Sequence, residues 1–126
     1  MKESAVIARV LRQVRAALEG VPAEEEIAAH PIVVAYEPVW AIGTTAGAPA
    51  AYIEPVIAAV RRTLSMEWPG PSAILYGGSV RPAETASFIE AAGADGVFLG
   101  RAALDLDELC AIAQRVARAG RRTQEL

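Results

Sequence analysis

The chain has 126 residues, 53% of them apolar, a net charge of −3, one cysteine and one histidine. That length bounds one small domain, residues 1–126, with enough apolar content for a core, and the mildly acidic balance argues against a nucleic-acid partner. The lone Cys110 leaves no disulfide framework or zinc pattern and points to a reducing, cytoplasmic setting, and no apolar run reaches membrane-spanning length.

The start, MKESAVIARVLRQ, interleaves charges with its apolar stripe and has no cleavage-like site, so no signal peptide is expected. Ile7, Val10, Leu11, Val14, Ala17 and Leu18 recur at helical spacing after Ser4, a candidate cap, and Gly20 ends the run. EGVPAEEEIAAH follows as the longest connection, its acids expected on a solvated surface. PIVVAYE from Pro31 is a short β-branched run and reads as a strand. AYIEPVIAAVRRTL returns to helical spacing through Ile53, Val56, Ile57, Val60 and Leu64, with Pro55 near enough to its start to be tolerated. SAILYGG is the second strand. Pro82 opens a helix with Ala86, Ile89 and Ala92 on its apolar side, stopped by Gly93. DGVFLG is the third strand. The last helix spans roughly Asp107 to Ala119, with Leu109, Ile112 and Val116 on one face, and RRTQEL is expected to fray.

The order is α-β-α-β-α-β-α. Strands separated by helices imply an α/β fold with three parallel strands joined by right-handed crossovers. Near-continuous apolar strands imply a sheet covered on both faces. Glu54, Glu84 and Glu90 are expected on helix surfaces, Cys110 in the core, and Trp68 packed at the amino end of the sheet.

In a parallel βα array the chemistry sits at the carboxyl ends of the strands. Three stretches fall there: Glu37 to Thr45, Gly77 to Val80, and Gly100 to Ala103. Each is rich in Gly, Ser or Thr, so backbone N–H groups can face an anion, with a following helix dipole adding to the attraction. Glu37 beside such a cradle is placed as a base acting on a phosphorylated substrate. An apolar loop next to that acid, Pro38-Val39-Trp40, suggests a segment that closes over a site.

AYEPVWAIGTT resembles the catalytic-base and lid segment of the triosephosphate isomerase family, YGGSV its next phosphate loop, and DGVFLGRAAL its last strand and final phosphate turn. The resemblance covers nearly the whole chain and implies the C-terminal half of a (β/α)8 TIM barrel. It implies a cytoplasmic enzyme of glycolysis and gluconeogenesis that interconverts dihydroxyacetone phosphate and glyceraldehyde 3-phosphate, needing no cofactor and no metal. By the same resemblance Glu37 is the general base. Pro38, Val39 and Trp40 are the first lid hinge, and Ala41, Ile42, Gly43 and Thr44 the moving tip, whose apolar groups strengthen the base by desolvation. The N–H groups of Gly43, Ser79 and Gly100 hold the phosphate, and Tyr76 and Ser79 fix the closed lid.

Three departures bear on this. The family's final turn carries two adjacent glycines, where Arg101 stands second here; its side chain needs room or an anionic contact. The second hinge reads Ala46-Gly47-Ala48, which is expected to be looser. The family's lysine, asparagine and histidine from the first half of the barrel have no counterpart. Lys2 is the one lysine of the sequence. His30 precedes the strand that Glu37 ends, roughly 20 Å away at a strand's rise per residue. The chain alone is therefore expected to be inactive, and to need either homo-oligomerisation, as a homodimer, or a complementary N-terminal half-barrel. Two alternatives stand beside triose isomerisation: a paralogue acting on a tetrulose (erythrulose) phosphate, and a non-catalytic phosphate-binding half-barrel.

Overall fold

The computed structural model describes residues 2–22, 29–42 and 47–124. These form α1 (Glu3–Leu18), β1 (Ile32–Tyr36), α2 (Ala50–Glu67), β2 (Ser72–Gly77), α3 (Pro82–Glu90), β3 (Gly96–Phe98) and α4 (Leu106–Gln124), with short 3-10 turns at Val39–Ala41 and Arg101–Leu104. Much of the acidic connection, residues 23–28, and the lid positions Gly43 and Thr44 lie outside the described residues. No described helix is long and apolar enough to cross a membrane.

The helical periods set these elements. α2 buries Ile53, Val56, Ile57, Val60 and Leu64, the stripe expected from the spacing. Pro55 sits in its second turn, where the missing N–H forfeits a single bond to Ala51. α1 starts one residue before the candidate cap: Lys2 occupies the cap position and supplies no side-chain bond, so Ser4 is already helical. Ala17 is exposed, and Val6 packs on the core in its place. The last helix runs on to Gln124, so Arg121–Gln124 are helical rather than frayed. Its inner face is Ile112, Val116 and Ala119. Cys110 lies about 100° round from Leu109 and is exposed, not in the core as expected. Trp68, which caps α2, is buried as anticipated, although its indole N–H meets no acceptor among the described residues.

The three strands pair in parallel in the order β1-β2-β3. Ile32 to Tyr36 align with Ser72 to Tyr76, and Leu75 to Gly77 with Gly96 to Phe98. Right-handed crossovers that all step the same way return every helix to the same side of the sheet. Ile32, Val34, Tyr36, Ile74, Tyr76 and Val97 therefore pack with the helices in one core. The opposite face carries Val33, Ala35, Ala73, Leu75, Gly77, Gly96 and Phe98, and no element of the described residues covers it. Val33 is 58% exposed and Phe98 49%. The expectation of a sheet covered on both faces is thus corrected: an apolar run shows that both strand faces are apolar, not that both have something to pack against.

At the amino end of the sheet, Asp95 clasps β3 to β2. Its Oδ2 accepts the Ile74 N–H at 2.7 Å, and its own N–H donates to the Ile74 carbonyl at 2.8 Å. Arg61 reaches the same carboxylate at 3.0 Å and the Gly93 carbonyl at 2.8 Å. The ion pair is about two-fifths exposed on both sides, so the bond to the half-buried amide outweighs it. Asp95→Ala is expected to lower unfolding free energy by about 1–3 kcal/mol, because it strands the Ile74 N–H. Asp95→Asn keeps an acceptor and should cost less. Urea melts of the two variants, with the Arg61→Met change as a comparison expected within about 1 kcal/mol of the parent, check this ranking.

Candidate functional site

Alternation along β1 sends Val33, Ala35 and the next odd position, Glu37, to the open face of the sheet. Glu37 is the first residue past the strand, and its side chain lies across the end of β2. A Cβ added to Gly77 would sit 2.6 Å from Glu37 Cγ and 3.2 Å from Cδ, with the Phe98 ring at 3.3 Å on the other side. Gly77 thus leaves a lane at the end of the central strand that the carboxylate occupies, with Phe98 of β3 closing its far wall.

Beside this lane is an open concavity of about 760 Å3. Glu37, Ser79, Gly100 and Arg101, four of the residues singled out from the sequence, line it together with Ile42. The sequence reading missed Phe98, Arg81 and Glu108 on the same wall. Phe98 was legible in principle, since strand parity puts it on the face of Glu37. Arg81 and Glu108 carry no such signal, because their places depend on how α3 and α4 begin.

The loop after β2 is built around Tyr76. Gly78 has φ +137°, and a Cβ there would meet the Tyr76 hydroxyl at 2.8 Å, so glycine is required on both counts. Burial raises the Tyr76 phenol above its ordinary pKa; the Ala48 N–H bond pulls it down and the Glu84 carboxylate pushes it up again. Tyr36, raised by burial and then by Tyr76, is likewise a neutral phenol at physiological pH. The neutral Tyr76 hydroxyl accepts the N–H of Ala48 at 3.0 Å. The N–H of Ser79 donates to the Ala41 carbonyl at 3.2 Å. Both ends of the segment that follows Glu37 are therefore tied to the β2 loop, and an anion that takes the Ser79 N–H must compete with Ala41 for it.

Of the second hinge, Gly47 and Ala48 are closely packed. Ala48 is 2% exposed, and a Cβ on Gly47 would lie 2.5 Å from the Ser79 carbonyl oxygen and 2.9 Å from the Phe88 ring. A glycine threads that gap where a larger residue would not. Glu84, expected on the surface, is half-buried in the first turn of α3, and its Oε2 is buried without a hydrogen-bond partner among the described residues. It faces the same Gly47 position at 3.5 Å.

The first hinge and the start of the expected tip differ. Pro38 and Ala41 are buried, but Val39, Trp40 and Ile42 are exposed, Trp40 at 61% with Tyr52 edge-on at 6.5 Å. Glu37 is itself exposed, so the desolvated base expected from the apolar loop is not what this conformation shows. The helix dipole expected behind Gly100 is also displaced. The 3-10 turn Arg101–Leu104 comes first, and the N-terminus of α4 is occupied by Asp105, whose Oδ1 accepts the N–H groups of Asp107 and Glu108 at 3.0 and 3.1 Å. His30 is exposed at the opposite end of β1, and Lys2 at the start of α1, so neither joins this group.

The family model described as triosephosphate isomerase matches residues 1–116. The triosephosphate isomerase of Moorella thermoacetica is 43% identical over 104 residues, covering 80% of this chain and 41% of the relative. That of Streptomyces avermitilis is 41% identical over 112 residues, covering 86% and 42%. That of Thermus thermophilus is 41% identical over 106 residues, covering 81% and 41%. The chain spans about two-fifths of the length of these relatives.

Gly77→Ala is the direct test of the lane. The added methyl must displace the Glu37 side chain, since the opposing atom is mid-chain rather than a free tip. The fold should survive with a loss of about 1–3 kcal/mol, the usual range for overpacking. The Glu37 side-chain carboxyl 13C resonance should move, while that of Glu54 on α2 should not.

Proposed function

This chain belongs to the triosephosphate isomerase family, and we propose that it supplies the base and the phosphate cradle of an aldose–ketose isomerase. In this reading the substrate is a small phosphorylated sugar, dihydroxyacetone phosphate or glyceraldehyde 3-phosphate. Glu37 takes a proton from the hydroxyl-bearing carbon beside the carbonyl, the electron pair moves onto the carbonyl oxygen to give an enediolate, the hydroxyl proton passes from its own oxygen to that one, and Glu37 returns its proton at the former carbonyl carbon. No atom is gained or lost. The observation that carries the reading is the Glu37 carboxylate lying over Gly77 at the rim of a concavity lined by Ser79 and Gly100.

The rest of the reaction needs groups from elsewhere. An enediolate requires a donor at its oxygen, and preorganised stabilisation of developing charge is often the largest catalytic term. Neither lysine nor histidine lines the concavity. A complementary portion of barrel is therefore the proposed partner, and this chain by itself is proposed to be inactive. Within the assembled protein the segment from Pro38 through Ile42 to Gly43 and Thr44 acts as the lid, held at its far end by Tyr76 through Ala48.

A second reading is favoured by one feature. Arg101 and Arg81 both line the concavity, where a glycine in place of Arg101 would leave space and no charge. A longer substrate, a tetrulose phosphate, would give the Arg101 guanidinium an oxygen to bind.

Two measurements follow. The chain assayed alone should not turn over glyceraldehyde 3-phosphate, and the chain joined to a complementary portion that restores turnover should lose about 10^2–10^4-fold in kcat on Glu37→Gln, the range for general-base loss. Arg101→Gly in the same assembly separates the two substrates. If Arg101 holds the longer sugar, tetrulose phosphate binding should weaken by about 1.5–3 kcal/mol, a charge-assisted hydrogen bond, with triose phosphate binding unchanged. Equal affinities in both versions leave the triose reading standing alone.

A further inference from the structure

Tyr52 stands in the first turn of α2, beside the buried Ile53. At helical spacing it heads the row of Val56, Ala59, Val60 and Thr63, all buried, yet Tyr52 itself is 70% exposed. α2 begins at the carboxyl end of the sheet, and its first turn overshoots the core there. The ring that meets Tyr52 at that point is Trp40, with centroids 6.5 Å apart and planes at 79°. Trp40 belongs to the first hinge, and Tyr52 lies just past the second. Their contact joins the two ends of the segment that follows Glu37.

Trp40 sits in a turn that is braced within itself. The Ala41 N–H donates to the Pro38 carbonyl at 2.8 Å, and the Ile42 N–H to the Val39 carbonyl at 3.3 Å. Such a turn moves as a unit, so its outside contacts decide where it rests. On the inner side the Ala41 carbonyl accepts the Ser79 N–H at 3.2 Å. On the outer side Trp40 meets Tyr52. An anion at Ser79 displaces the inner tie and leaves the outer one in place, because Tyr52 does not line the concavity. Both rings are mostly in water, so the pair buries little area. Its worth is the edge-to-face contact, which shifts an equilibrium by about two- to tenfold.

We propose that Tyr52 is a positioning residue for the first hinge. Its ring holds Trp40, and with it the whole turn, in the place where the Ala41 carbonyl occupies the Ser79 N–H. Tyr52 therefore sets how readily that donor is released to an anion, without touching the anion itself. A substrate phosphate must open the turn against this contact, so the apparent affinity at Ser79 falls with the fraction of chains in which the turn is shut.

This role deepens the proposed lid function of Pro38 to Thr44 and rests on it, so the hinge is read first without any ligand. The 15N-labelled full chain is compared with Tyr52→Ala and Tyr52→Phe. Tyr52 is exposed and alanine is the better helix former, so the fold should survive both changes. The indole N–H of exposed Trp40 exchanges quickly with water and that of buried Trp68 slowly, which tells the two signals apart. In Tyr52→Ala the Trp40 indole signal should move, and exchange at the Ser79 amide should quicken by about two- to tenfold. The Ala48 amide, bonded to Tyr76 at the second hinge, should keep its rate. Tyr52→Phe retains the ring and should match the parent throughout. Inorganic phosphate, titrated at constant ionic strength, should bind Tyr52→Ala about two- to tenfold more tightly than the parent. An unchanged Ser79 rate in Tyr52→Ala, a Tyr52→Phe that behaves like the alanine variant, Ala48 quickening as much as Ser79, or equal phosphate affinity in parent and Tyr52→Ala would each overturn the role of Tyr52. Phosphate binding to none of the three would refute the anion site of the proposed function, and the Ser79 rate would still decide for or against Tyr52.

Discussion

The odd-numbered positions of β1 all face the same side of the sheet, and the chain places a carboxylate at the last of them. Everything else about the site follows from that parity. Val33 and Ala35 belong to the open face, so Glu37 does too, and it emerges over the carboxyl end of the central strand rather than among the helices. There it meets Gly77. A one-residue slip of β1 would turn Glu37 into the helical core and Tyr36 out to solvent. The helical side of β1 resists that slip, because Ile32, Val34 and Tyr36 are packed into the common core.

The two ends of the sheet do different work. The amino end is held by Asp95 and Arg61, with bonds that tie strand to strand and helix to loop. The carboxyl end carries the glycines, the half-buried Glu84 and the concavity. Its loops are fastened to one another, to β2 and to α3: Ala41 to Ser79, Ala48 to Tyr76, and Gly47 against Ser79 and Phe88. Such an arrangement can hold backbone donors close together and still change partners, as the anion binding proposed at Ser79 would require.

Much of this was legible in the sequence. Helical spacing gave α2 the large apolar residues of its buried stripe, though not Ala59 and Thr63, and Gly, Ser and Thr at three successive strand ends pointed to the end of the sheet where the concavity lies. What remained hidden had physical reasons. The open face was hidden because apolar residues look alike whether they pack on a helix or await a partner, and Val33 and Phe98 are of the second kind. The close packing of Gly47 was hidden because a Gly between two alanines looks flexible until the Ser79 carbonyl is found against it. Cys110 and Ala17 were misjudged by one helical step each, which periodicity alone does not resolve at a helix edge. Glu84 lies close in space to Gly47, which is far from it in sequence, a proximity that helical periodicity does not reveal.

The central claim is that the carboxyl ends of these strands form an anion site beside Glu37. Titrating inorganic phosphate into the 15N-labelled full chain, at constant ionic strength and with sulfate-free buffer, tests it most directly. Backbone amide shifts should gather at Gly78, Ser79, Gly100 and Arg101, with a smaller change at Ala41 as its carbonyl loses the Ser79 N–H. Shifts confined to the amino end, near Asp95 and His30, or spread evenly over the surface arginines, would contradict the account.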